Sequence, residues 1–187
     1  ELFYTKDSKQ LEQLSEKYNG KLNTNDERLL LSFFDRSGNL IAVSGRTLTD
    51  STLRYLTLRI VDDVPLIYNL DKIDYSKKIY CVEGPIDSLF LDNAIALAGA
   101  DAVVNIQHEQ CTMIFDNEPR NEQIVNRMIS AVDKKFNLVV FPESLKYKDI
   151  NDMVIAGLTA DEITTLIHSN TYCGLTALQH INNWKRI

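Results

Sequence analysis

Residues 80–90, YCVEGPIDSLF, form the stretch of sequence that decides the fold. A short apolar and aromatic run, typical of a buried strand, ends abruptly on Glu83, a Gly-Pro pair and Asp87. A strand that ends on acidic residues carries carboxylates to the edge of a sheet. The stretch therefore predicts a strand that delivers Glu83 to a site at that edge.

The sequence on both sides of this stretch predicts an α/β fold. From Lys78 onward, strand-like and helix-like patterns alternate, which is typical of a mostly parallel sheet covered by helices. Strands are predicted at 78–82, 102–106, 111–115 and 137–141, and helices at 85–99 with Gly99 as C-cap, 121–134, 161–169 and 175–184.

The first part of the chain has a different pattern. A helix-compatible start at 8–18 precedes two apolar runs around Arg36–Asn39, which predict a β-hairpin, and a third run lies at 53–61. We therefore predict three parts: a mixed α+β subdomain over 1–76, a catalytic α/β domain over 77–157, and a C-terminal helical segment over 158–187.

Composition narrows the class of protein. The chain has 187 residues, 44% of them apolar, enough to fill a core, and no apolar run approaches the roughly 20 residues that span a bilayer. No secretory signal pattern opens the sequence, so we expect a cytoplasmic protein.

Cys81, Cys111 and Cys173 are far apart, and we expect reduced thiols, the first two buried in strands. We expect solvated or satisfied side chains for the three histidines, His108, His168 and His180.

The net charge of -6 argues against a surface that binds nucleic acid through clustered basic residues. Any contact with nucleic acid is therefore expected to be local or mediated by metal ions.

Acidic residues follow three of the predicted strands. In open α/β sheets, ligands bind at the carboxyl ends of the strands, so these groups are expected to converge and to raise one another's pKa unless cations lie among them. Hard carboxylate ligands suit Mg²⁺ or Mn²⁺. Taken alone, each acid also has the pattern of a solvated loop residue. Asp149 also fits the N-cap position of a helix, and Asp87 fits the first turn of a helix, where a negative charge is favourable. The acids are Glu83, Asp87, Asp116, Glu118, Asp149 and Asp152.

Three motifs resemble those of the Toprim domain, which primases, topoisomerases and some nucleases share. VEGPIDSLF (82–90) resembles Glu-Gly-x-x-Asp, FDNE (115–118) stands where the family has Asp-x-Asp, and KDIND (148–152) is similar to its third motif. Upstream, 34–57 and 66–74 resemble segments of the primase polymerase core. The resemblance therefore covers about residues 30–157 and favours a primase within this group.

The resemblance implies a role for each matching residue. Asp116, Glu118 and Asp149 would bind Mg²⁺ or Mn²⁺, and Glu83 would bind metal or assist proton transfer in catalysis. Asp87 would take part in catalysis together with Glu83, or would only hold the loop in position. Arg46 and Arg54 are expected to contact nucleotide or nucleic acid, with Tyr55 and Thr57 beside them. Lys148 would also contact a phosphate group, or it is only a counter-charge to the neighbouring acid.

Some positions depart from the family pattern. Glu118 replaces the usual Asp, Arg54 and Thr57 replace Lys and Asn, and Pro119-Arg120-Asn121 stands where Glu-Ala-Gly is common. These departures fit the divergent phage-type primases better than the cellular ones.

By resemblance, the function is metal-dependent synthesis of short RNA primers from ribonucleoside triphosphates on a single-stranded DNA template. The location would be the cytoplasm of a bacterial host, with a replicative helicase as partner of the full-length protein and no membrane. The alternatives are a Toprim nuclease or topoisomerase module that cleaves phosphodiesters, and an inactive scaffold of a replication complex.

Overall fold

The computed structural model describes residues 2–23, 25–97 and 110–187. The chain forms two compact units, 1–71 and 72–187. The predicted strand at 102–106, the Gly99 cap and His108 lie outside the described residues. Within the described part of the chain, no helix has both the length and the apolar character needed to cross a membrane.

The first unit is built on a four-stranded antiparallel sheet with strand order β1-β2-β3-β4. The helix-compatible start is helical but forms two 3-10 helices, Ser8–Leu14 and Glu16–Tyr18, rather than an α-helix. These helices cover one face of the sheet, where Leu11 packs with Val43 and Leu58. The strands are β1 Leu2–Thr5, β2 Arg28–Phe34, β3 Leu40–Thr47 and β4 Tyr55–Arg59.

The predicted hairpin joins β2 to β3. The Asp35 carboxylate accepts hydrogen bonds from the backbone N–H groups of Ser37 and Asn39 and from the Asn39 side chain. Gly38 has a φ of +81°, a left-handed conformation that glycine adopts without steric cost. The local sequence therefore accounts for this turn.

The second unit is a five-stranded sheet with strand order β6-β5-β7-β8-β9, parallel except for the edge strand β9. A 3-10 turn, Leu70–Lys72, precedes it. The strands are β5 Ile79–Val82, β6 Ala94–Ala96, β7 Cys111–Ile114, β8 Asn137–Val139 and β9 Thr171–Tyr172, and the helices are α1 Pro85–Ser88, α2 Glu122–Asp133, α3 Ile150–Ile155, α4 Ala160–Ser169 and α5 Gly174–Trp184. The helices predicted at 121–134, 161–169 and 175–184 are thus confirmed.

The long helix predicted over 85–99 is wrong. The α-helical part ends at Ser88, and Ala94–Ala96 form β6, paired in parallel with Tyr80–Val82 of β5. Asn93 has a φ of 53° and bonds through its side chain to the backbone of Asp74 and Lys78, which turns the chain into the strand. Apolar residues spaced for a helix face therefore enter the sheet because tertiary pairing outweighs the local pattern.

The expectations for the cysteines and for two histidines are confirmed. Cys81 and Cys111 lie buried in β5 and β7, and all three cysteines are free thiols. The His168 ring is hydrogen-bonded to the Tyr80 hydroxyl at 2.7 Å, and the His180 ring stacks on Tyr172 with 3.7 Å between centroids.

Candidate active site

The sheet of the second unit brings four acidic residues to one cleft. β5 and β7 are neighbouring parallel strands, so Glu83 after β5 and Asp116 after β7 emerge at the same edge. Asp87 and Asp149 line the same cleft, whose walls are apolar. The cleft therefore joins carboxylates from all three acidic motifs.

Glu83 pairs with an arginine that the sequence analysis did not single out. Its carboxylate accepts a hydrogen bond from Arg127 of α2, and the Arg127 guanidinium also lies 5.2 Å from the centre of the Phe115 ring. Burial raises the pKa of Glu83; Arg127 opposes this, and the charge of Asp116 adds to it. Glu83 is thus held in place by the positively charged Arg127 side chain while it remains near Asp116.

Asp87 is buried in the first turn of α1. Its carboxylate accepts a hydrogen bond of 2.9 Å from the backbone N–H of Asn151 in α3. A Cβ added at Gly84 would lie 2.5 Å from Asp87 Oδ2, so glycine at that position makes room for the carboxylate. Burial raises the pKa of Asp87 to about 6, and the charges of Asp149 and Asp116 contribute to the rise.

Lys148 bridges the two acids of the second motif. Its Nζ lies 3.3 Å from Asp116 Oδ2 and 3.4 Å from Glu118 Oε1. Burial raises the pKa of Asp116, and Lys148 opposes the rise. Glu118 also accepts a hydrogen bond from the Asn121 side chain at 3.1 Å. Lys148 therefore acts at least as a counter-charge in this cluster.

Asp149 is the N-cap of α3, as its local sequence allows. Its carboxylate accepts a hydrogen bond of 2.7 Å from the backbone N–H of Asp152. The cap leaves Asp149 at the cleft, while Asp152 accepts a longer contact of 3.4 Å from the Lys148 backbone N–H. Capping and a place in the acidic cleft are thus compatible at this residue.

The donor set suits a divalent cation, although the coordination shell is not already assembled. Across residues 2–23, 25–97 and 110–187, no three His, Cys, Asp or Glu side chains are arranged to hold a metal ion. Arg127 and Lys148 occupy the carboxylates of Glu83, Asp116 and Glu118. Partly buried carboxylates with raised pKa values are nevertheless hard oxygen ligands that a Mg²⁺ or Mn²⁺ ion would stabilise in the charged form.

The first unit brings together the residues expected to contact nucleotide or nucleic acid. Arg46 on β3 pairs in register with Tyr55 on β4, and its guanidinium lies 4.8 Å from the centre of the Tyr55 ring. Thr57 shares this face of the sheet and its hydroxyl lies 2.9 Å from the Ser44 hydroxyl. Arg54 is exposed immediately before β4.

Known proteins share both sequence and fold with this chain. It is 28% identical over 172 residues to the DNA primase of Enterobacteria phage T4, covering 89% of this chain and 50% of that protein. The structure matches the Aquifex aeolicus primase (zinc-binding and RNA polymerase domains) with a TM-score of 0.65 and 16% identity, over 91% of this chain and 51% of that one. It also matches the structure of a DnaG primase catalytic domain bound to ssDNA, with a TM-score of 0.59 and 14% identity. That match covers 84% of this chain and 62% of the DnaG chain.

The fold is that of a primase catalytic core. The resemblance to primases is thereby confirmed, in sequence by the T4 protein and in fold by the solved primase cores. No protein-family model matches the chain. The chain spans about half the length of the T4 primase.

In this primase fold, Arg127 is the neighbour of the acidic cleft that sequence reasoning missed. The only available signal was its place on α2 beside the buried residues Val125 and Met128, in the crossover between β7 and β8. Arginine on an amphipathic helix is usually solvated, so the pattern by itself did not distinguish it.

Removing the charge of Asp87 should stabilise the protein at neutral pH in EDTA. The pKa of Asp87 is about 6 in the folded state, above its ordinary value of 3.8. Because the folded state binds this proton more tightly than the unfolded chain, the free energy of unfolding falls as the pH rises from about 4 to about 6. Asp87→Asn should therefore raise the free energy of unfolding at neutral pH by roughly 3 kcal/mol at most.

Melting curves of both proteins across this pH range provide the test. The difference in melting temperature should be small at the acid end and grow as the pH rises. Asp74→Asn serves as a control of opposite sign, because hydrogen bonds from Ser76 lower the pKa of Asp74. A difference between Asp87→Asn and the parent that stays constant with pH would contradict this assignment.

Proposed function

We propose that this chain is the RNA polymerase part of a DNA primase, which makes short RNA primers from ribonucleoside triphosphates on single-stranded DNA. The observation that carries the proposal is the acidic cleft, in which residues of all three Toprim motifs meet at the carboxyl edge of a parallel sheet. Its fold is shared with primase catalytic cores, one of them described as bound to ssDNA.

The acids of the cleft would hold divalent cations. We assign Asp116, Glu118 and Asp149 as ligands of Mg²⁺ or Mn²⁺, with Glu83 either as a further ligand or as the acceptor of a proton from the attacking hydroxyl. The bound ions would supply Lewis acidity to the 3′-hydroxyl and to the leaving pyrophosphate. Asp87, buried against the Asn151 backbone, would hold the loop after β5 in position or take part in catalysis together with Glu83.

Basic and aromatic residues of the first unit would bind phosphate groups and bases. The Arg46 guanidinium stacked near Tyr55 is suited to a phosphate in a bidentate contact, and Arg54 would add a second cation. Thr57 lies on the same face as Arg46. Lys148 of the second unit, already paired with Asp116 and Glu118, would contact the triphosphate.

We further propose the three-part organisation predicted from the sequence: a subdomain over 1–76, a Toprim catalytic domain over 77–157 and a helical segment over 158–187. In the longer protein, a replicative helicase would be the partner, and the cytoplasm of a bacterial host the location.

The test is the product formed from labelled ribonucleoside triphosphates on single-stranded DNA. With Mg²⁺ or Mn²⁺ and a supplied dinucleotide primer, the protein should extend RNA, and EDTA should abolish the extension. RNA extension on this template supports the proposal directly. Double-stranded DNA of the same sequence is the matched control and should give far less product.

Two other outcomes would not support the proposal, and the first of them would overturn it. Metal-dependent cutting of the template without RNA synthesis would indicate a Toprim nuclease or topoisomerase activity. A protein that neither extends RNA nor cuts DNA would act as a scaffold of a replication complex, or would depend on parts of a longer protein.

A further inference from the structure

Asn117 lies between Asp116, which lines the cleft, and Glu118, and it makes three side-chain hydrogen bonds. Its amide nitrogen donates to the carbonyl oxygens of Leu145 at 3.1 Å and Tyr147 at 3.0 Å. Its amide oxygen accepts a hydrogen bond of 3.0 Å from the indole N–H of Trp184. Both N–H groups of the amide and its oxygen are therefore engaged, the N–H groups by the loop at 145–147 and the oxygen by the end of α5.

The contacts of Asn117 connect two acidic loops. One loop, 116–118, carries Asp116 and Glu118, and the other, 145–149, ends on Lys148 and Asp149. The backbone N–H of Asn117 donates to the Lys148 carbonyl oxygen at 2.6 Å, in addition to the two side-chain bonds to this loop. The residue thus ties the loop of the second motif to the loop of the third through three hydrogen bonds.

The C-terminal helix supplies the third anchor. Trp184, the last residue of α5, is buried, and α5 packs on α2. Just beyond it, the Arg186 backbone N–H donates to the Pro119 carbonyl oxygen at 2.8 Å, and the Arg186 guanidinium lies 2.6 Å from Glu143. The end of the chain therefore contacts segments flanking both acidic loops.

We propose that Asn117 is a positioning residue for the metal-binding acids, and that α5 acts on the same site through Trp184. The inference rests on the proposed function, because it concerns the ligands Asp116, Glu118 and Asp149. Side chains that orient metal ligands commonly change metal affinity by about tenfold to a hundredfold when they are replaced. Asn117→Ala removes all three side-chain bonds, keeps the backbone bond to Lys148, and should let the two loops shift relative to each other.

Asn93 provides a matched control within the same unit. Its amide nitrogen donates to the carbonyl oxygens of Asp74 and Lys78, and its amide oxygen accepts from the Asp74 backbone N–H, each at 2.9 Å. Asn93→Ala therefore also loses three side-chain bonds, two donated to carbonyl oxygens and one accepted from an N–H group. It lies at the amino end of β6, away from the acidic cleft, and its φ of 53° adds strain to an alanine.

The experiment is Mn²⁺ binding, measured from the free-ion signal in electron paramagnetic resonance. We expect Asn117→Ala to raise the dissociation constant about tenfold or more. Trp184→Phe, which removes the indole N–H and keeps an aromatic ring, should raise it about fivefold. Asn93→Ala should bind Mn²⁺ as the parent protein does, and melting curves of both variants give the stability that each has lost.

Each other outcome is decisive. If Asn117→Ala binds Mn²⁺ as tightly as the parent, Asn117 does not position the ligands, and the proposed function is unaffected. If Asn93→Ala is weakened equally, loss of stability explains the effect and the inference fails. If the parent binds no Mn²⁺, both the inference and the metal-dependent function are overturned.

Discussion

Replacing Asp116 by asparagine should reduce the proposed RNA primer synthesis by about a hundredfold to a thousandfold without lowering the melting temperature. Asparagine keeps the shape of the side chain but removes the negative charge that would bind a divalent cation. Burial raises the pKa of Asp116, so folding disfavours its charged form relative to the unfolded chain. The neutral variant should therefore be as stable as the parent protein, or more stable.

Steady-state incorporation of labelled ribonucleotides, measured beside melting curves, checks this expectation. Asp133→Asn is a matched control, because Asp133 is an exposed carboxylate at the last residue of α2 in the same unit. It should retain full synthesis. An Asp116→Asn protein that keeps more than about a tenth of the parent activity would remove Asp116 from the proposed ligands.

Replacing Arg28 by methionine should destabilise the first unit by about 3 to 5 kcal/mol. Arg28 is completely buried, and its Nε and Nη2 each lie 2.7 Å from a carboxylate oxygen of Asp26. The guanidinium also donates to the carbonyl oxygens of Gly45 at 2.8 Å and Leu53 at 3.1 Å. Methionine would leave the Asp26 charge and two carbonyl groups without this partner.

Urea unfolding followed by circular dichroism measures this loss. Trp184 is the single tryptophan and belongs to the second unit, so its fluorescence separates the unfolding of that unit from the first. Lys17→Met is the control, since the Lys17–Asp62 pair at 2.7 Å is exposed and should contribute little to stability. Equal losses for Arg28→Met and Lys17→Met would show that the buried pair has no special role.

Patterns of local sequence predicted most elements of the fold, with one informative error. The strands near 78–82, 111–115 and 137–141, the helix near 121–134 and the hairpin at Arg36–Asn39 each follow from periodicity or from turn residues. The predicted helix over 85–99 failed because Ala94–Ala96 gain backbone hydrogen bonds from β5, and Asn93 turns the chain into that pairing. Periodicity records which residues are apolar, but pairing partners are distant in sequence.

The sequence by itself determined the α/β class, the acidic residues that end the strands and the likeness to primases. These features depend on residue types and short spacings, which local physics can interpret. Only the tertiary structure decided that Arg127 pairs with Glu83, that Asp87 is buried against the backbone of Asn151, and that Asn117 joins two loops to Trp184. Such contacts join residues 44 to 67 positions apart, and no local pattern contains the geometry that brings them together.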